Sequence, residues 1–160
     1  LTVTHHHADH TAGARAYIAE GSTLVTTKGN RNYFEQMAKS RFSISPDTLT
    51  INPRSLKMEF VENGKKVFTD GVTTVELYDI GPSPHAEEIL IAYLPKEKIL
   101  FEADLFDEPM DDRFVSTVHL AKWIEQKNLA VEQIVPVHGI ITTMGDVLRG
   151  LAERQQTQIM

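Results

Sequence analysis

Thr4-His5-His6-His7-Ala8-Asp9-His10 brings three imidazoles and a carboxylate into the pattern His-x-His-x-Asp-His within six residues. Imidazole nitrogen and carboxylate oxygen are the donors that zinc takes, and that iron and manganese also accept. In an extended segment the spacing of two puts His5 and His7 on one side and His6 on the other. His6 is therefore read as a packed or hydrogen-bonded residue outside the ligand set. The plain alternative is a purification-tag stub or an inert polar turn. Tags are usually longer homopolymers, however, and do not run on into Ala-Asp-His-Thr-Ala-Gly. Leu1 to Thr4 reads as the β-branched end of a strand, and Ala12 to Glu20 as a helix stopped by Gly21. The cluster is thus expected in a loop at a strand terminus.

Three more donors follow at strand ends. His85 sits in the breaker-rich Gly81-Pro82-Ser83-Pro84-His85, after the strand ending at Ile80. Asp104 follows the apolar Ile99-Leu100-Phe101, and His138 follows Ile134-Val135-Pro136-Val137 and precedes Gly139. Each alone has an ordinary use: a loop histidine, a turn-forming aspartate, a turn histidine. His119 shares a helix with Trp123 four residues on and is read as a core-edge residue. Asp107, Glu108, Asp111 and Asp112 lack the ligand-and-glycine spacing of a calcium loop and read as a solvated stretch.

With 160 residues, 41% of them hydrophobic and 24% charged, the chain reads as one globular domain able to bury a core. No apolar run approaches the roughly 20 residues that span a bilayer. The net charge of −6 argues against a nucleic-acid partner, which needs a broad basic surface. The absence of cysteine excludes disulfides, cysteine ligands and a thiol nucleophile, and selects no compartment.

The remaining elements follow from periodicity and turn chemistry. Strands are expected at 23–27, 48–51, 56–62, 65–69, 73–80, 88–94, 98–102 and 133–137. Asn63-Gly64 should close a hairpin between the third and fourth of these, and Asp70-Gly71 should turn into the fifth. Helices are expected at 30–39, capped by Asn30 with Tyr33, Phe34 and Met37 as its apolar side, and at 116–127, capped by Ser116. A last helix at 143–155 should turn Val147, Leu148 and Leu151 inward. Helices at both ends of a mostly antiparallel run of hairpins imply a sheet that needs covering.

The full order of donors carries a resemblance. His5-x-His7-x-Asp9-His10, then His85, Asp104 and His138, at intervals of 78, 19 and 34 residues from His7 onward, resembles the metallo-β-lactamase superfamily of metallohydrolases over nearly the whole chain. The resemblance implies an α+β fold, an αββα sandwich. It also implies a first metal site of His5, His7 and His85 and a second of Asp9, His10 and His138, with Asp104 bridging the two. Two zinc ions are expected, with iron or manganese as substitutes. Such a pair, roughly 3.5–4 Å apart, lowers the pKa of a water between its ions toward about 7. Asp9 would orient that nucleophile and shuttle its proton. Aspartate rather than cysteine at position 104 resembles the broad hydrolase branches. The expected function is a hydrolase acting on a small-molecule ester, thioester, lactone or amide. A di-iron oxidoreductase and a catalytically incomplete fragment are the alternatives.

In that family several strands precede the first metal motif, whereas only Leu1 to Thr4 do so here. The sequence therefore looks like the C-terminal portion of a longer domain with its first sheet truncated. An orphaned strand edge and an uncovered apolar face would favour self-association, with a homodimer expected. Substrate specificity is expected from the loops at 30–54 and 107–114.

Overall fold

The computed structural model describes residues 1–107 and 113–157. Two sheets lie between two sets of helices. The first sheet is the parallel pair β1 (Thr23–Thr26) and β2 (Lys57–Phe60), in register Thr23 to Lys57. The segment at Leu1 to Val3 runs beside β1. Thr2 bridges Val25, and the Leu1 carbonyl accepts from the Val25 amide at 2.8 Å. The expected strand there is an extended segment joined at one bridge.

The second sheet has six strands in sequence order: β3 (Lys65–Thr69), β4 (Thr74–Asp79), β5 (Leu90–Leu94), β6 (Ile99–Glu102), β7 (Gln133–Pro136) and β8 (Thr142–Thr143). Neighbours are antiparallel except β6 and β7, whose parallel pairing needs the crossover helix α5 (Phe114–Gln126).

Alternation along the strands sorts side chains between two cores. Tyr78, Ile91 and Tyr93 face α5 and α6 (Met144–Thr157), where they meet Leu120, Trp123, Val147 and Leu151. Their neighbours Leu77 and Leu90 turn the other way and pack with Val25 and Val61, joining the sheets. Outside β1 lie four helices: α1 (Ala8–Thr11), α2 (Ala14–Ala19), α3 (Arg31–Lys39) and α4 (Thr48–Ile51). Phe34 is fully buried there with Val3, Ala14 and Leu24. The layers are αββα, as expected. Among the described residues no helix is long and apolar enough to cross a membrane.

Several local expectations are overturned. Asn63 and Gly64 do take the positive φ of a tight turn (55° and 78°). The strands on either side do not pair: β2 lies with β1, and β3 pairs with β4. The turn therefore carries the chain from one sheet to the other, because Met58 belongs to the helix-side core while Val61 belongs to the inter-sheet core. Residues 48–51 form a helical turn instead of a strand. The Asp47 carboxylate accepts from the Thr50 amide at 2.8 Å, an N-cap that outweighs the β-branched composition.

Helix α5 begins at Phe114, so Ser116 lies buried inside it and is not its cap. Asn30 precedes α3 but gives its side chain to Thr27 Oγ1 instead of capping. In α6, Val147 and Leu151 are buried whereas Leu148 is half exposed. The helix expected over 12–20 is the shorter α2, which starts after Gly13, and a helical turn that the sequence reading did not expect, α1, precedes it over Ala8–Thr11.

Candidate metal centre

The donors converge at one end of the sandwich, delivered by loops and by the helical turn α1, each with its own local logic. His5 and His7 leave the extended N-terminal segment, which is fastened to β5 by the Leu90 amide donating to Thr4 O at 2.7 Å. The chain then enters α1, which presents Asp9 and His10. Thr11 locks this corner. Its hydroxyl meets His7 O at 3.1 Å and Tyr33 Oη at 2.8 Å, tying the histidine loop to α3.

His85 follows β4. Ser83 Oγ accepts from the amides of His85 and Ala86, a hydroxyl-built turn that fixes the ring's position. Asp104 lies past β6 with left-handed backbone, φ 62°, a conformation aspartate tolerates and one that recurs where a side chain has to be aimed. His138 follows β7, whose end is held by the Val137 amide on Glu102 O at 3.0 Å.

Within this cluster His5 Nε2, His7 Nδ1 and His85 Nε2 form a triangle with sides of 3.0, 3.0 and 3.1 Å. Tetrahedral nitrogen ligands at about 2.0–2.1 Å from zinc stand about 3.3 Å apart, close to that spacing. Three ring nitrogens so placed cannot all satisfy one another by hydrogen bonds, since a neutral imidazole has one donor and one acceptor. A cation at the centre of the triangle resolves that conflict. His5 is fully buried, and burial, followed by neighbouring His10, His7 and His85, lowers its pKa to about 3. Burial also lowers the pKa of His85. Both rings are therefore neutral at physiological pH and offer lone pairs without shedding a proton.

A second group is Asp9, His10 and His138, with His10 Nε2 to Asp9 Oδ2 at 3.3 Å, His138 Nε2 to His10 Nε2 at 3.4 Å and His138 Nε2 to Asp9 Oδ2 at 3.5 Å. Asp104 lies between the groups. Its Oδ2 is 2.7 Å from His10 Nε2 and 3.4 Å from both His5 Nε2 and His85 Nε2. All seven sequence-derived candidates, His5, His7, Asp9, His10, His85, Asp104 and His138, are thus brought together, in three overlapping groups that could hold a metal ion: His5, His7 and His85; His5, His10 and Asp104; Asp9, His10 and His138.

His6 and His119 belong to none of these donor groups, although the His6 ring lies edge-on to the His7 ring with 5.2 Å between centroids. The His6 ring packs on Tyr33, with 5.6 Å between centroids, and its Nδ1 is buried without a hydrogen-bond partner among the described residues. It is packed, as expected, but that nitrogen is not hydrogen-bonded. His119 on α5 is half-buried. Of the acidic stretch, Glu108, Asp111 and Asp112 lie outside the described residues.

No family model matches the sequence, and no curated protein does. Solved structures do match. A metallo-β-lactamase from Pontibacter korlensis aligns with a TM-score of 0.63 and 20% identity, covering 96% of this chain and 67% of that one. The DIM-1 metallo-β-lactamase aligns at 0.62 and 17%, covering 98% and 68%. The rubredoxin oxygen:oxidoreductase of Desulfovibrio gigas aligns at 0.66 and 18%, covering 98% of this chain and 44% of its own.

The chain has the metallo-β-lactamase fold.

Within this metallo-β-lactamase fold, two residues that the sequence reading passed over shape the centre. Glu102, fully buried at the end of β6, accepts the Leu105 amide at 2.9 Å and the Phe106 amide at 3.3 Å through Oε2. That grip sets the left-handed turn that aims Asp104. Burial pushes the Glu102 carboxyl up to about 8. Arg113, just before α5, donates to Asp104 Oδ1 at 2.7 Å and faces His85 Nδ1 at 2.9 Å. Glu102 was readable only as a strand residue, and Arg113 as one charge after an acidic stretch. Neither carries a sequence signal for its partners, which lie across turns.

Proposed function

We propose that this chain is the metal-binding part of a hydrolase that activates water at a paired metal centre for attack on an ester, thioester, lactone or amide of a small molecule. The observation that carries the reading is the position of Asp104 Oδ2, within 3.4 Å of donors in both groups. A single oxygen so placed suits a bridge between two ions. His5, His7 and His85 would hold the first ion and Asp9, His10 and His138 the second. Zinc fits this nitrogen and oxygen set, and so do iron and manganese.

A metal pair, when bound, supplies Lewis-acid polarisation of the scissile carbonyl and lowers the pKa of water at the site. The protein supplies the rest. The histidines and Asp104 fix geometry from a nearly dry floor, Asp104 being 4% exposed. Asp9 is 63% exposed and stands at the open side between His10 and His138. Its carboxylate can orient a water toward substrate and take that water's proton.

A di-iron oxidoreductase is the second reading, favoured by the D. gigas enzyme aligning as well as the lactamases do. Elemental analysis of the purified chain, followed by an ester, lactone, thioester and β-lactam screen, tests both. About two zinc ions per chain with turnover of any of these supports hydrolysis. Two irons and no turnover overturns it in favour of redox chemistry.

A further inference from the structure

We infer that the free edge of β3 joins this chain to a second copy of itself, the two β3 strands pairing antiparallel about a two-fold axis at Val67. The inference does not depend on the metal centre. β3 is the outer strand of the six-stranded sheet, and among the described residues only β4 pairs with it. The other outer strand of that sheet, β8, is two residues long. β3 runs for five residues with neither proline nor bulge, and its Val67 and Phe68 are 48% and 41% exposed. An edge of this kind is a template for another strand.

The hydrogen-bond phase decides the register. Asp79 N donates to Gly64 O at 3.1 Å, and Asp70 N donates to Thr73 O at 3.3 Å. Bonded and non-bonded pairs alternate along an antiparallel ladder. Gly64, Lys66, Phe68 and Asp70 therefore turn their backbone groups toward β4, and Lys65, Val67 and Thr69 turn theirs outward. The Lys65 amide is taken by Glu62 O at 3.4 Å. The Lys65 carbonyl and both backbone groups of Val67 and Thr69 are left for another strand. A two-fold axis at Val67 sets Val67 opposite the partner's Val67 and Lys65 opposite the partner's Thr69. Four bonds then form. Each Val67 amide donates to the other Val67 carbonyl, and each Thr69 amide donates to the other Lys65 carbonyl.

The side chains suit that register. The two Val67 side chains meet across the axis on one face, and on the other Phe68 lies opposite the partner's Lys66. No lysine faces a lysine, the arrangement that destabilises a strand pair. Edge lysines commonly block pairing, but both of these are held within their own chain. Lys65 Nζ lies 3.0 Å from Glu76 Oε1, and Lys66 Nζ lies 3.0 Å from Glu59 Oε2. The outer side of β2, by contrast, carries exposed Lys57 and Glu59 and no large exposed apolar side chain.

A five-residue edge pair is a small interface, so micromolar dissociation is expected. The experiment is analytical ultracentrifugation of the full chain up to roughly 200 µM, for wild type, V67P, V67K and V67E, with thermal unfolding to check that each is folded. V67P removes an amide that faces away from β4, where an edge strand tolerates proline. Wild type should sediment as a dimer. V67P should raise the dissociation constant about a hundredfold, two lost bonds at about tenfold each. V67K and V67E, each repelled by its own copy, should be monomeric alone and dimeric when mixed. That mixture keeps the test decisive if V67P does not fold.

A single-chain mass for wild type at the highest concentration overturns the proposal. So does a dimer that V67P and V67K leave intact, which puts the contact elsewhere, and so does a mixture in which folded V67K and V67E stay monomeric. None of these outcomes touches the metal content of wild type, so the hydrolase reading stands or falls separately.

Discussion

Asp104 Oδ2 lies 2.7 Å from His10 Nε2. Asp104 comes from the end of the second sheet and His10 from the helical turn that follows the first chain segment. A contact between such distant segments at a 4%-exposed carboxylate makes Asp104 the link between the two donor groups. Asp104→Ala is therefore expected to hold no more than one metal ion per chain. Under the hydrolase reading proposed above, turnover should fall by more than the 10–100-fold typical of outer partners of metal ligands. Elemental analysis of the variant checks the first statement, and two ions per chain would refute the bridging role.

His6 makes the opposite prediction. Its ring packs on Tyr33 and edge-on to the His7 ring, and it is in none of the donor groups. His6→Ala should keep the wild-type metal content and lose only packing, on the order of 1 kcal/mol. A metal-to-chain ratio well below that of wild type would make His6 part of the site.

Gly64 tests the switch between sheets. Its φ of 78° is left-handed, yet a Cβ there would meet nothing within 4 Å. Gly64→Ala should cost only backbone strain, about 1–2 kcal/mol in chemical denaturation. A cost near zero would mean that the turn can relax without disturbing β2 and β3.

The donors were legible because His5-x-His7-x-Asp9-His10 stands as one cluster and His85, Asp104 and His138 follow readable strands in the order of the family resemblance. The αββα layering was legible only through that resemblance. What was lost required three-dimensional partners. Asn63-Gly64 has the dihedrals of a hairpin turn, but the cores that Met58 and Val61 enter decide that β2 and β3 part. Thr48–Ile51 has strand composition, but Asp47 caps it as a helix. Arg113 and Glu102 act on Asp104 through contacts that no local pattern encodes.

The Arg15–Asp47 pair yields a pH prediction away from the metal centre. Arg15, buried on α2, gives Nε and Nη2 to the two Asp47 oxygens at 2.6 and 2.9 Å and Nη1 to Met37 O. Asp47 also caps α4, so one carboxylate pins the 40–55 loop to the helical layer. Hydrogen bonding from Arg15, then from Thr50, holds the Asp47 carboxyl well below the usual carboxylate range. A carboxylate whose folded pKa is depressed contributes stability that is complete above its unfolded value, about 3.9, and is lost as pH falls toward the folded value. Asp47→Asn should therefore melt lower than wild type by a constant margin above about pH 5, with the margin closing on further acidification below about pH 4. Metal-stripped protein should be used, so that the histidines contribute equally to both chains. A margin that stays constant down to pH 2.5 would show that the pairing with Arg15 does not depend on the charge of Asp47.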